Sequence, residues 1–520
     1  MRKTIVRNTT IISAGTNVSR VLGLVRDIII ARLFGTGYGA GAFVVAFTLP
    51  NMLRDFIGEG AANAAFVPVL TEYKVKSTKD GFWKAANSIL VMLVFVLLIV
   101  AITGVTAAPI LVRIMAPGFI KVSGAIPMTV ELTRMIFPYI LFMGLLAYSM
   151  GVLNTLGHFA VPAFSHSLLN ISVILSALFL CPFMGVYGLG IGVIIGGMLQ
   201  VGAQIPVLLK NGFRFKWRAE LFHPAVKKVG FLLAPRIMGT VVYQVNVLVD
   251  RMLASLFWIV GAGAVPALYY SYRLIQYPLG IFSAALATAA LPVMANHAVE
   301  DKTGKLRNTV VFALKSVFFV MIPASVGLIV LGKPIIRILF QRGMFTEYST
   351  SITYYALFFY SLGLAAFGGI KILAMCFYSM NDTVTPVKVA ACSLVVNIIF
   401  NLALMWPLKV GGLALATSIA AFFNFLVLFK LLGRKLGGLK EKEILISLMK
   451  VILSAILMGI VCYLMTCSLL KGAVPGHTMS GCVRLLVTVI AGIVVYVTAA
   501  AILGMEEARR PLSWLARRRF

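Results

Sequence analysis

Apolar runs recur from one end of this chain to the other, broken by short polar connections. A run of about 20 residues crosses the hydrocarbon core as a helix, and a helix satisfies its own backbone hydrogen bonds where there is no water to do so. The pattern predicts an all-α polytopic membrane protein with fourteen spans, over 9–34, 41–70, 85–110, 126–153, 161–181, 185–209, 229–257, 266–296, 309–332, 348–379, 386–406, 411–430, 448–468 and 483–504. No stretch reads as a soluble domain. The longest polar connections lie near 210–228 and 430–450.

The halves echo each other. Ala31-Arg32-Leu33-Phe34 matches Ala254-Ser255-Leu256-Phe257, which sets Asp27 opposite Asp250, 223 residues on. Ala65-Phe66-Val67-Pro68-Val69-Leu70 matches Ala289-Ala290-Leu291-Pro292-Val293-Met294 at 224. Asn154 and Asn170 are spaced like Asn381 and Asn397, displaced by 227. Two bundles of six spans are expected, and since six is even both enter from the same side. Parallel repeats of this kind belong to transporters that rock two bundles around a central site. The expected domains are 1–215 and 216–435, lobes of a V lined by spans 1, 2, 7 and 8. Residues 436–520 are an appended helix pair with no counterpart.

A net charge of +30 on a chain that is 60% hydrophobic invites a nucleic-acid reading, which the placement of charge rejects. Counted over alternate loops, 28 basic residues fall on the side of both termini and 8 on the other. The positive-inside rule therefore places both termini in the cytoplasm, with the loop charge facing anionic membrane lipid. The first apolar run continues through Arg20 with no small-residue cleavage pattern, so it is expected to be a span and not a leader. The six cysteines form no CxxC pair and mostly sit within spans, as small packing residues do. The five histidines lack metal-ligand spacing, no P-loop is present, and Ser, His and acid do not cluster. An enzyme is not expected.

Charges inside the spans change the picture more than composition does. Arg20, Arg26, Asp27, Arg54, Asp55, Glu59, Asp250, Arg251, Arg273 and Lys371 all lie within them. A guanidinium at the bilayer centre costs about 2.5–3.5 kcal/mol even on insertion scales, and so faces a partner or a polar cavity. Its planar fork suits phosphate oxygens. Arg26, Arg54 and Arg273 are read as ligands of a phosphorylated anion. Asp27 either neutralises an arginine or takes part in the site, Glu59 gates or pairs, and Lys371 either contributes or snorkels to the interface. Asp250 is a candidate cation ligand with Asn397 or Asp382. The competing readings are an ion pair for Asp250 and a helix cap for Asp382. The second span is rich in small residues around Gly58-Glu59-Gly60 and follows Leu49-Pro50, and the eighth repeats this with Tyr277-Pro278-Leu279-Gly280. Such helices approach closely and bend.

The segment Ser19-Arg20-Val21-Leu22-Gly23-Leu24-Val25-Arg26-Asp27, followed by Ala31-Arg32-Leu33-Phe34-Gly35, resembles the N-terminal signature of the MurJ (MviN) lipid II flippases. Further matches run through Leu49-Pro50-Asn51, Glu59-Gly60-Ala61, Phe137-Pro138-Tyr139, Arg273-Leu274, Phe345-Thr346, Lys371-Ile372-Leu373-Ala374 and Thr385-Pro386-Val387-Lys388, covering essentially the whole chain. The resemblance implies a fourteen-helix MOP-superfamily exporter of the inner membrane. It would carry lipid II, an undecaprenyl-pyrophosphate lipid of peptidoglycan synthesis, to the outer leaflet. It also implies functional positions at Arg20, Arg26, Arg54 and Arg273, and a lipid-tail groove at the appended pair. The chain departs from relatives at Gly41 and Tyr272, where some carry acids. Beyond lipid II and membrane lipids, partners among cell-wall synthesis proteins are open, no nucleic acid is expected, and a monomer is. No cofactor is expected apart from a coupling cation (Na+ or H+) or the membrane potential. The alternatives are a flippase for another undecaprenyl-pyrophosphate glycan, a MATE-like drug exporter, and a membrane scaffold for cell-wall enzymes.

Overall fold

In a computed structural model, residues 2–57, 65–215, 220, 223–300, 302–470 and 478–508 are described. They are almost entirely helical, with no strand among them. Helix makes up most of each expected span where it is described, with turns at 137–138, 203–204 and 363 among the interruptions. Residues 58–64 of the second span, and with them Glu59, lie outside the described residues.

The chain forms two compact units, residues 1–256 and 257–520. The first holds α1 (Arg2–Phe34), α2 (Tyr38–Ile57), α3 (Val67–Lys76), α4 (Lys79–Met115), α5 (Ala125–Ile136), α6 (Tyr139–Leu156), α7 (Ala160–Phe179), α8 (Tyr187–Gly202), α9 (Ile205–Lys210) and α10 (Pro224–Ala254). The second holds α11 (Ala264–Pro278), α12 (Ala284–Val299), α13 (Thr303–Phe340), α14 (Glu347–Leu362), α15 (Leu364–Ser379), α16 (Val384–Leu436), α17 (Glu441–Met465) and α18 (Thr478–Ile502). Single helical turns fill several of the joints.

Among the described residues, nine helices are long and apolar enough to cross a membrane, and α14 with α15, bent by 45°, would make a tenth. The helices of the first, second and seventh expected spans, α1, α2 and α10, fall outside that set. They are the ones that carry Arg20, Arg26, Asp27, Arg54, Asp55, Asp250 and Arg251.

The repeat is visible in the element boundaries. Lys79 and Thr303 start α4 and α13, and Ala160 and Val384 start α7 and α16, each pair 224 apart. The end of α6 closes with the amide of His158 donating to Leu153 O at 2.8 Å, and the end of α15 with the amide of Asp382 donating to Phe377 O at 2.9 Å. Both carry a left-handed residue one position earlier, Gly157 (φ 90°) and Asn381 (φ 58°). This helix-ending motif, which favours Gly and tolerates Asn, corrects the asparagine register. Asn381 sits opposite Gly157 and not Asn154, so the match at 227 runs three residues past the structural register.

The division by packing also differs in basis from the division by sequence. Helix α10 belongs to the second repeat by sequence but packs on α2, α3 and α4 of the first unit. At its end Ser255 Oγ accepts from the amide of Gly118 at 3.0 Å.

Small residues bring helices together within each unit. Gly188, Gly192 and Gly196 line one face of α8, where added Cβ atoms would meet Cys181, Ser176 and Leu169 at 2.8 Å or less. The Ser172 hydroxyl donates to Gly192 O at 2.8 Å across that contact. In the second unit, π-helical Leu279–Ser283 follows Pro278 and joins α11 to α12. Helix α16 is broken at Lys409 (φ 49°, ψ −131°), between the eleventh and twelfth expected spans. The appended pair α17 and α18 packs on α13 through Leu331, Val451, Ala455, Met458, Cys462 and Tyr496. The Tyr496 hydroxyl donates to Phe319 O at 2.6 Å.

Candidate functional site

Gly15 sets the first polar site. A Cβ there would lie 2.7 Å from Ala163 O, so α1 approaches α7 with almost no space between backbones. That approach brings Asn170 of α7 against α1. Its Nδ2 donates to Ser19 O at 2.9 Å and to Ser19 Oγ at 3.3 Å. Its Oδ1 accepts from Arg26 Nη1 at 3.1 Å. Asp27 Oδ1 accepts from Arg26 Nε at 3.0 Å and from Nη2 at 2.8 Å. Arg26, Asp27 and Asn170 are 6%, 1% and 6% exposed, so this is a buried ion pair seated on a carboxamide. Charge-assisted bonds of this kind are roughly twice as strong as neutral ones.

Arg20, two turns before Asp27, is half-buried. Arg54 lies on α2, and its side chain, like those of Asp55 and Glu59, lies outside the described residues. Arg273 is half-buried on α11 of the second unit, its guanidinium carbon 5.7 Å from the ring centre of Tyr269, one turn earlier. Tyr272 packs edge-on against Tyr360 at 5.7 Å, and Gly41 is buried in α2. Lys371 is half-buried on α15. The structure thus brings Arg26 and Asp27 together, while Arg273 and Lys371 belong to the second unit.

Asp250 is half-buried on α10 of the first unit, and Asn397 is fully buried on α16 of the second. Asn397 accepts from Asn401 Nδ2 at 2.7 Å and donates to Thr417 Oγ1 at 3.4 Å, tying the two arms of α16. Asp382 takes the cap reading. Its Oδ1 accepts from the amide of Thr385 at 2.9 Å, and Oδ2 accepts from Thr385 Oγ1 and from Lys435. The Lys435 ammonium holds its carboxyl down, to about 2. Among the described residues no three His, Cys, Asp or Glu side chains gather as a metal cluster would require.

Sequence reasoning missed Ser19, Asn401 and Thr417, and used Asn170 only as a repeat marker. The i,i+4 spacing of Asn397 and Asn401 on an apolar helix was the one available signal.

A family profile described as Lipid II flippase MurJ matches residues 30–483. The chain belongs to the MurJ lipid II flippase family. A Vibrio cholerae protein named probable lipid II flippase MurJ is 38% identical over 443 residues, covering 82% of this chain and 83% of that protein. A solved structure titled lipid II flippase MurJ, inward closed conformation, superposes with a TM-score of 0.78 at 28% identity, over 94% of this chain and 98% of that one. An inward-facing MATE-family multidrug transporter of the MOP superfamily shares the fold, with a TM-score of 0.70 at 16% identity, covering 81% and 96%. Membership of the MurJ family makes this a polytopic membrane protein with a MOP-type fold, and its relatives are named as flippases, not as enzymes.

Proposed function

We propose that this chain moves lipid II from the inner to the outer leaflet of the cytoplasmic membrane by alternating access. Both termini lie in the cytoplasm, and Arg20, Arg26, Arg54 and Arg273 bind the pyrophosphate. The observation that carries this reading is a fixed positive charge, Arg26, buried to 6% in a membrane helix of a MurJ-family chain. The pyrophosphate is the part of lipid II that hydrocarbon rejects most, and guanidinium groups replace its lost hydration. The polyprenyl tail needs no such help and runs along the appended pair α17 and α18. Asp250 couples transport to sodium or to a proton.

The test is complementation. Cells depleted of their own lipid II flippase are supplied with this chain, and outer-leaflet lipid II is measured with an externally added enzyme that cleaves it. The parent restores growth and cleavage, and Ala at any of the four arginines abolishes both while the protein stays in the membrane. Full transport by all four variants would overturn the assignment. For Asp250→Asn, the same assay is run across sodium and pH. An unchanged response to both removes Asp250 from coupling.

A further inference from the structure

Two corners of the chain repeat each other, and they are closed differently. In the second unit α16 ends with the amide of Gly438 donating to Gly433 O at 2.7 Å, past a left-handed Gly437 (φ 68°). Arg307, near the start of α13, donates from Nη1 to Gly437 O at 3.5 Å. The first unit makes the same turn 225 residues earlier, where the amide of Phe213 donates to Leu208 O at 3.1 Å past Gly212 (φ 93°). Trp83 stands 224 residues before Arg307, at the corresponding place on α4. Its Nε1 lies 3.6 Å from the point that a Gly212 Cβ would occupy, and so does Lys79 Nζ. Lys79 and Trp83 are four apart and share a helix face.

The corner is built, not loose. Trp83 is 8% exposed, its ring packed edge-on against Phe82 and Phe213 at 4.8 and 5.7 Å. Asn87 Nδ2 ties Trp83 O to Arg214 O, at 2.9 and 3.0 Å. His158 Nε2 meets Asn211 Oδ1 at 3.2 Å. Among the described residues, no acceptor is bonded to Trp83 Nε1 and no carboxylate to Lys79 Nζ. An indole N–H can only donate, and an ammonium can only donate. The acids nearby are engaged or turned aside. Glu72 holds Lys228 at 2.9 Å, Glu220 holds Lys84 at 2.6 Å, and Asp80 is displaced about 100° around the helix from Lys79.

We infer that this corner is a phosphate site, filled by the headgroup of an anionic phospholipid. The two nitrogens are no farther apart than twice 3.6 Å. Two oxygens of one phosphate can therefore accept from both at about 2.7–3.2 Å, and the missing Cβ of Gly212 leaves them room. Lys79 supplies the charge, and the indole N–H fixes orientation. A lipid is favoured over free phosphate because exposed Leu209 and Phe215 flank Gly212, three residues to either side, and offer apolar surface to glycerol and acyl chain. Tryptophan also sits at headgroup level with its ring in the apolar layer. Only the choice of leaflet rests on the orientation proposed above, which turns this corner to the cytoplasmic side, where anionic lipid is enriched.

The test counts lipid on the purified full chain, with no transport step. Parent, Trp83→Phe, Lys79→Gln and Lys227→Gln are titrated in neutral detergent with phosphatidylglycerol or phosphatidylcholine, and bound lipid is read by native mass spectrometry. Lys227 is an exposed lysine of α10, so its variant lowers net charge away from the Lys79–Trp83 face. The parent should hold one phosphatidylglycerol more tightly than any phosphatidylcholine, whose choline cancels the charge. Trp83→Phe and Lys79→Gln should each weaken that lipid about tenfold, as loss of a hydrogen bond to a charged group does. Lys227→Gln should leave it unchanged, and excess inorganic phosphate should not displace it.

Equal binding by parent and both corner variants would overturn the site. Equal weakening by Lys227→Gln would reduce it to general surface charge and overturn it too. Displacement by inorganic phosphate would assign the corner to the free anion and overturn the lipid reading. Lys79→Gln changes an exposed side chain, so it decides the matter even where Trp83→Phe does not fold. Failed complementation with this lipid still bound would strike only at the transport reading.

Discussion

Asp27→Asn removes one charge from the buried pair and keeps its shape. Arg26, only 6% exposed, would then lose the carboxylate that accepts from its Nε and Nη2. Breaking a buried ion pair from one side costs about 3–5 kcal/mol. The lower edge applies here, because Asn170 still accepts from Nη1 at 3.1 Å and the new carboxamide retains an acceptor. At roughly 2–4 °C per kcal/mol for a body the size of the first unit, the melting temperature should fall by about 6–12 °C. Arg26→Gln alone takes the guanidinium from the carboxylate and should cost a similar amount. The two together replace a charged pair with a neutral one and should recover most of the loss, since exchanging a whole buried pair is often close to neutral. The assay is a thermal melt of detergent-purified protein followed by size exclusion. A coupling of about 2 kcal/mol or more is expected from the double-mutant cycle. Additive losses, or an Asp27→Asn protein that melts within about 2 °C of the parent, would refute the pairing argument.

Asp382→Asn keeps the acceptor for Thr385 and removes the partner of Lys435. That ammonium is half exposed, so the change should cost only about 0.2–1 kcal/mol at neutral pH. Because the folded carboxyl is held near 2, below the ordinary 3.8, its contribution is full above about pH 4 and vanishes as pH falls toward 2. Melts of parent and variant should converge over that window. Gly118→Ala would place a Cβ 1.7 Å from Ser255 O, a backbone atom that cannot swing aside. It should destabilise the first unit by about 1–3 kcal/mol in the same melt. Arg273→Lys keeps the charge and loses the fork, so complementation should be partial where Arg273→Ala gives none.

The helices were legible because hydrocarbon imposes length and apolarity on every span. Pro278 and Gly280 marked the place where the helical path turns π-helical between α11 and α12. Asp27 was legible as a neutraliser of an arginine from its place two turns after Arg20, and the structure pairs it with Arg26. Its third member, Asn170, lies 144 residues away, and nothing local marks a carboxamide as the seat of a guanidinium. The asparagine register failed for a related reason. Letter identity matched Asn154 with Asn381, whereas backbone conformation pairs Asn381 with Gly157. The equivalence lies in a left-handed φ, which two different residues supply. Asp382 shows the reverse case, where its place in the turn Asn381-Asp382-Thr383 already suggested a cap.

Helix α10 carries a consequence for how this polypeptide can be divided. A cut in 211–223 would follow the repeat, and with six spans in the first piece the second would begin on the same side of the membrane. But the second piece would then own a helix whose packing partners, α2, α3 and α4, belong to the first. A cut after Leu256 would keep every such partner together, yet leave an odd number of expected spans behind, and the second piece would have to start from the opposite face with nothing upstream to orient it. Insertion favours one break point and packing the other. Neither half is therefore a self-sufficient module, and split versions expressed from two genes should depend on each other to fold.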